Sequence, residues 1–435
     1  MRTRARIRAA VGASLVASLL AACGTGSGDE ESAVPEVGDF TGRGPISFVA
    51  GKDFAGGMSA LLKEWNDKHP DEKVTFIELP EQADQQRQQY IQNAETQSDA
   101  YDVISVDVVW TSEFAAHRWI DPLPEDEFET GKMLDPVVEA AKYRGQLYGA
   151  PNYTDAGLLY YRTDLLRKAG FDEPPTTWDE MAQQCDEILE LPESKGMSCY
   201  AGQFEKYEGL TVNFAESIQS AGGSIVGEDG KPALDTPEAK EGFSNLVDGF
   251  ESGMIPKEAI TYQEETGRQA FQKGDLVFHR QWPYQYALAN ADDGSSEVAG
   301  KFDVAPLPGV DGPGSSSLGG WNLAVSSFAK NKATALDFIK FMTTEEMQRK
   351  RLVESTQAPV YASLYEDDEL IEQYPYLPEL KESVLSAEPR PRVVRYGDTT
   401  AAIQDEAYAA LTGEKSAEDA LASLQQRLAG LVDGP

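Results

Sequence analysis

The sequence predicts an α/β protein of two lobes around a cleft, and three observations carry this. The chain has 435 residues, which suits a large two-lobed unit better than one small domain. Hydrophobic residues make up 41% of it, so a core is available despite a formal net charge of −35. Strand-like and helix-like segments alternate from residue 46 onward, as in a parallel sheet with crossover helices.

The alternation holds segment by segment. Residues 46–49 read as a strand. Met58, Leu61, Leu62 and Trp65 then fall on one face of a helix. Residues 74–79 form the next strand, the Gln-rich segment 81–96 suits a helix, and 102–106 is a short strand of the buried type. Beyond Pro151, residues 158–161 are strand-like, and 164–169 make a helix that Gly170 ends. Thr177 followed by Glu180 is a capping box opening another helix. Residues 304–307 and 323–325 are strand-like and flank a Gly/Ser-rich loop at 309–317. Residues 333–342 and the last twenty positions carry helical spacing, the latter through Ala417, Leu421, Leu424 and Leu428. No internal repeat of 20–50 residues is visible. In an open α/β sheet, ligands bind at the carboxyl ends of the strands, which places the site in the cleft.

The N-terminus has a different character. Arg2, Arg4, Arg6 and Arg8 precede an apolar run at 9–22, too short for a comfortable transmembrane helix and typical of a signal peptide. The run ends Leu20-Ala21-Ala22-Cys23 and continues Gly-Thr-Gly-Ser-Gly. That order resembles a bacterial lipobox, in which Cys23 is lipidated after cleavage at 1–22. Residues 23–43 then form a flexible tether. Loss of 1–22 leaves 34 Lys and Arg against 73 Asp and Glu, a charge of −39. No basic cluster follows residue 8, which argues against nucleic-acid binding and against unaided attachment to an anionic bilayer. The expected location is the outer face of the cytoplasmic membrane. Cys185 and Cys199 remain, 14 positions apart, either as a local disulfide or as two buried thiols. The three histidines are scattered, and no spacing suggests a metal or cofactor.

Five segments hold more polar and aromatic groups than structure alone requires. They are 102–110, with Asp107 directly after a buried strand; 151–157, with Tyr153 and Asp155 read as a loop; 281–286, with Trp282 and Tyr284; 317–322, with Gly319, Gly320 and Trp321; and 389–392, Pro-Arg-Pro-Arg. Carboxylates accept sugar hydroxyls, Arg donates to ring and hydroxyl oxygens, and the apolar face of a glucose ring stacks on an indole. Taken singly, each residue has a plainer role as core aromatic, helix cap or turn.

In combination these segments resemble the extracellular sugar-binding proteins of ABC importers. The nearest branch binds trehalose and maltose and includes mycobacterial trehalose-binding lipoproteins. The resemblance spans 46–430 and rests on Asp107-Val-Val-Trp110, Asp155-Ala-Gly-Leu-Leu-Tyr-Tyr-Arg162, Tyr207-Glu-Gly-Leu210, Trp282-Pro-Tyr284, Leu318-Gly-Gly-Trp321 and Pro389-Arg-Pro391. It implies a maltose-binding-protein-like periplasmic-binding fold with hinge-crossing strands. The first lobe would comprise 44–155 with 302–360 returning to it, and the second 156–301 completed by 361–435. It implies ligand contacts at Arg87, Asp107, Tyr153, Asp155, Trp282, Tyr284, Gly320, Trp321 and Arg390. Asp53 is a substitute for an acidic residue in a loop, 51–57, that is two residues shorter than in the family. It also implies a monomer that catalyses nothing, takes no cofactor, and delivers trehalose or maltose to permease subunits. The alternatives are a secreted glycoside hydrolase, a receptor for another oligosaccharide, and a polyamine or metal receptor suggested by the acidity.

Overall fold

The computed structural model describes residues 37–53, 57–227 and 229–432. The expected leader at 1–22, Cys23 and most of the expected tether lie outside these. Eleven strands form among the described residues. In the first half they are β1 (Ile46–Ala50), β2 (Val74–Glu78), β3 (Val103–Asp107), the small hairpin β4 (Lys142–Tyr143) and β5 (Gln146–Leu147), and β6 (Ala150–Ala156). The remainder are β7 (Leu158–Tyr161), β8 (Ser198–Ala201), β9 (Leu276–Gln281), β10 (Asp303–Ala305) and β11 (Leu318–Val325).

The first lobe is built on the sheet β2-β1-β3-β11-β6, parallel in its first three strands and antiparallel where β11 joins β3 and β6. All five residues of β3 are buried, as helices on both faces of a parallel sheet require. The helix Met58–Lys68 covers one face with Leu61, Leu62 and Trp65, and Trp65 meets Phe338 of the helix Lys332–Met342 at 5.4 Å between rings. The second lobe is built on the sheet β10-β7-β9-β8. Its helices include Glu208–Gln219, buried along its whole length, and the late helix Tyr396–Leu411, joined by a Thr211–Thr400 hydroxyl bond of 2.7 Å.

Two readings from sequence are corrected here. Residues 151–157 read from sequence as a loop between apolar runs; all but Gly157 instead belong to a strand, although Pro, Asn and Asp are poor strand formers. That strand is β6, which lies at the sheet edge, where Pro151 is tolerated. The return to the first lobe was expected at 302, but Asp303–Ala305 still pair with Leu159–Tyr161 in the second sheet. The crossing comes later, into β11, which starts at Leu318 and runs through Gly319 and Gly320.

The lobes meet where three chain passages lie side by side. Gly157, between β6 and β7, donates its N–H to Ser316 Oγ at 2.5 Å. Leu318 N–H donates to Glu388 O, and Glu388 N–H to Ser316 O, each at 2.9 Å. A side chain at Gly157 would strike the Arg280 guanidinium at 2.6 Å, so the crossing needs glycine.

Cys185, on the helix Trp178–Leu189, is bonded to Cys199 on β8, with Cα atoms 5.5 Å apart. Closing a loop of this length restricts the unfolded chain by about 3 kcal/mol. The Cys185→Ser, Cys199→Ser double variant should therefore unfold in guanidinium with its stability lowered by about 2–4 kcal/mol. An unchanged midpoint would contradict this.

Candidate functional site

One cavity of about 230 Å³ is lined by both lobes. This is small beside the roughly 300–1,000 Å³ common for ligand pockets. The first lobe contributes Asp107 at the carboxyl end of β3, Tyr153 and Asp155 from β6, and Gly320 and Trp321 from β11. The second contributes Trp282 and Tyr284 just beyond β9, with Tyr207 and Glu208 opening the helix Glu208–Gln219. Arg390 comes from the loop at the junction.

The strand register explains why these groups converge. Trp321 is paired with Asp107 on one side and with Tyr153 on the other, and the pairing shifts between Trp321 and Asn322. Gly320 has φ +117°, and a Cβ there would meet Tyr153 O at 2.5 Å, so only glycine lets β11 approach β6 this closely. A Cβ at Gly319 would sit 2.9 Å from the Trp282 ring. The indole of Trp321 stands edge-on to Trp110, with centroids 5.3 Å apart. Trp282 stacks on the Arg280 guanidinium at 3.8 Å, a contact that fixes the ring plane.

Arg280 is 1% exposed and holds Glu216 side-on, with Nε donating at 2.8 Å and Nη2 at 2.5 Å. Glu216 also accepts from Ser317 N–H at 3.1 Å and Ser316 Oγ at 3.3 Å. This buried pair ties the Trp282 platform to the crossing passage. Charge pairs of this kind are costly to break, because the surviving partner is left buried and unpaired.

Arg390 is 2% exposed and bridges Asp107 Oδ1, through Nη2 at 3.3 Å, to Glu208. Glu208 also accepts from the Tyr396 hydroxyl and from Thr400 Oγ1, the latter at 2.7 Å. Burial pushes the Asp107 carboxyl up to about 6, against the pull of Arg390 and with the help of Glu208. Asp155 is different. It is half-buried on the cavity wall and accepts no hydrogen bond from any described residue. Burial pushes its carboxyl up to about 8, Arg280 opposes the rise, and Asp107 adds to it.

The remaining candidates divide. Asp53 lines the cavity, and its carboxylate accepts from Met58 N–H at 2.8 Å, capping the first helix. Arg87 is not on the wall. Its Nε and Nη2 hold Glu113 at 2.8 and 2.5 Å, and Gly397 packs against its guanidinium. The expected ligand donor is thus engaged by a buried carboxylate 26 residues on. Sequence reasoning passed over Glu208, although it lies in a motif that was noted, and Arg351, whose segment carried no signal. Among the described residues no three His, Cys, Asp or Glu side chains cluster as metal ligands.

An acid whose folded pKa is raised binds its proton more tightly when folded. Stability from Asp155 is therefore full below the unfolded value near 4 and falls as pH rises toward about 8. Asp155→Asn should accordingly raise the melting temperature of the sugar-free protein at pH 8–9 relative to the unmutated chain, with little gain at pH 4. A lower melting temperature at pH 9 would contradict this.

Residues 51–349 match the family model of bacterial extracellular solute-binding proteins. A Deinococcus radiodurans protein described as a probable ABC transporter-binding protein is 33% identical, over 82% of this chain and 86% of its own. The solved structure of maltose-bound T. maritima MalE3 has a TM-score of 0.83 at 34% identity, covering 88% of this chain and 98% of that one. The GacH receptor of Streptomyces glaucescens, solved unliganded and with acarbose, shares the fold with a TM-score of 0.79 at 23% identity, over 90% of this chain and 98% of its own. A two-lobed fold, a cavity walled by both lobes, and a family match over more than half its length together make this chain a member of the bacterial extracellular solute-binding protein family.

Proposed function

We propose that the protein is a lipid-anchored receptor for an α-linked glucose disaccharide, trehalose first and maltose second, which it delivers to the membrane subunits of an ABC importer. The observation that carries this reading is Asp155, a carboxylate without a described protein partner on a wall it shares with Trp282, Trp321 and Tyr153. Burial holds a proton on it near neutral pH in the sugar-free protein; hydroxyls donating to it favour the ionised form, and the charge-assisted bonds that result are roughly twice as strong as neutral ones. Aromatic rings cover the apolar face of the sugar while its edges find polar partners. The maltose bound to the T. maritima relative supports the ligand class.

The mechanism is closure. Asp107, Tyr153, Asp155 and Trp321 stand on one lobe and Trp282, Tyr284 and Glu208 on the other. A ligand touching both walls favours the closed form by its differential affinity for that form. Importer subunits that recognise the closed form would then receive loaded receptor. Cys23 supplies the membrane attachment that a body at −39 cannot make by charge. Among the described residues no helix is long and apolar enough to cross a membrane.

Titration calorimetry tests the ligand. Trp282→Ala and Asp155→Ala should each weaken disaccharide binding by about tenfold or more. Unchanged titrations for both would remove the site. Prolonged incubation with trehalose and maltose should release no glucose, and release would favour the hydrolase alternative. Cys23→Ser should shift the protein from the membrane fraction to the medium, and retention on the membrane would rule out the anchor.

A further inference from the structure

We propose that Arg351 is the donor of a second-ring subsite, the feature by which this cavity prefers a disaccharide to a single hexose. The proposal rests on the sugar reading above and assigns it a residue.

Arg351 lies near the end of the helix Glu345–Ser355, is 2% exposed, and lines the cavity. Its bonding differs from that of the other inward-facing arginines. Arg87, Arg162 and Arg280 each turn the Nε–Nη2 edge onto a carboxylate, namely Glu113, Asp164 and Glu216. Arg390 holds two carboxylates through Nη1 and Nη2, although its Nε too is buried without a partner. Arg351 forms no ion pair among the described residues. It donates only through Nη1, to Asn152 O at 3.2 Å and to the Asn152 side-chain oxygen, while its Nε is buried with no partner. The guanidinium lies 5.5 Å from the Tyr153 ring, and burial lowers its pKa to about 10. Proximity to a helix C-terminus and the face of Tyr153 offset part of the cost of a buried cation, but neither uses the Nε–Nη2 edge.

The place differs from that of Asp107 and Asp155. The charges that act on Asp107 and Asp155 are those of Arg390, Glu208 and Arg280. Arg351 instead lies over the Tyr153 ring and within electrostatic reach of the Asp53 carboxylate. Tyr153 links the two places: its strand partner Trp321 is also paired with Asp107, and its ring lies 5.5 Å from the Arg351 guanidinium. Ser355 and Gln357 line the wall with Arg351 and add hydroxyl and amide groups suited to sugar oxygens. Asp53 lines the same wall and would repel an acid, so the second unit is a neutral ring whose oxygens accept from Arg351.

Calorimetry with maltose, trehalose and glucose on the unmutated chain, Arg351→Gln and Arg351→Lys tests this, with melting curves to confirm folding. The unmutated protein should bind one disaccharide more tightly than glucose. Arg351→Gln should lose that preference by about tenfold while its glucose affinity stays unchanged. Arg351→Lys, with charge but no fork, should recover only part of the preference. Retained preference in Arg351→Gln would overturn the subsite. So would a parallel loss for glucose, which would make Arg351 a support for Asn152 alone. Should the unmutated protein give no heat with any of the three sugars, the sugar reading itself falls, and the subsite with it.

Discussion

Arg390 is the point at which charge ties the two lobes. Its guanidinium reaches Asp107 at the end of β3 in one lobe and Glu208 at the start of a second-lobe helix. Both carboxylates are buried, and buried charge is costly unless it is paired and hydrogen-bonded, as Arg390 pairs these two. The position of the candidate site follows from this contact. Asp107 fixes the floor, Trp321 is held beside it by strand pairing, and Glu208 brings the second-lobe wall into reach. Tyr396 and Thr400 secure Glu208 from behind, so the tie extends into the late helix that completes the second lobe.

A second constraint runs through the crossing passages. Arg280 and Glu216 form a buried pair whose carboxylate also holds Ser316 and Ser317 of the segment entering β11. The same Arg280 carries Trp282 on its face. Hinge and ligand platform therefore share one ion pair, and a movement of the crossing strands is felt at the aromatic wall. Against this network Asp155 stands out, since burial without a hydrogen-bond partner disfavours the charged form of its carboxyl in the sugar-free fold. A binding protein can retain such a group because the ligand relieves it.

Much of the framework was legible from periodicity alone. The Leu61, Leu62 and Trp65 face, the Thr177 capping box and the buried run ending at Asp107 depend on local spacing, and each element forms where the spacing places it. β6 was hidden because Pro151, Asn152 and Asp155 are poor strand formers, and only its place at a sheet edge makes the strand tolerable. The residue types of the site were readable as sugar chemistry, but their partners were not. Arg87 looks like a ligand donor until Glu113 is seen to hold it. Arg351 looks like an ordinary helical arginine until its Nε proves to be buried without a partner. Both depend on contacts through space between segments far apart in sequence.

Small-angle scattering tests the central claim most directly, because it reads lobe closure without reference to the aromatic wall. The unmutated chain should contract when a sugar that it binds is added. Arg390→Gln, which removes the cation between Asp107 and Glu208, should stay folded, scatter as a more extended particle, and contract only at much higher sugar concentration. Identical scattering and identical sugar dependence in the two proteins would contradict the account.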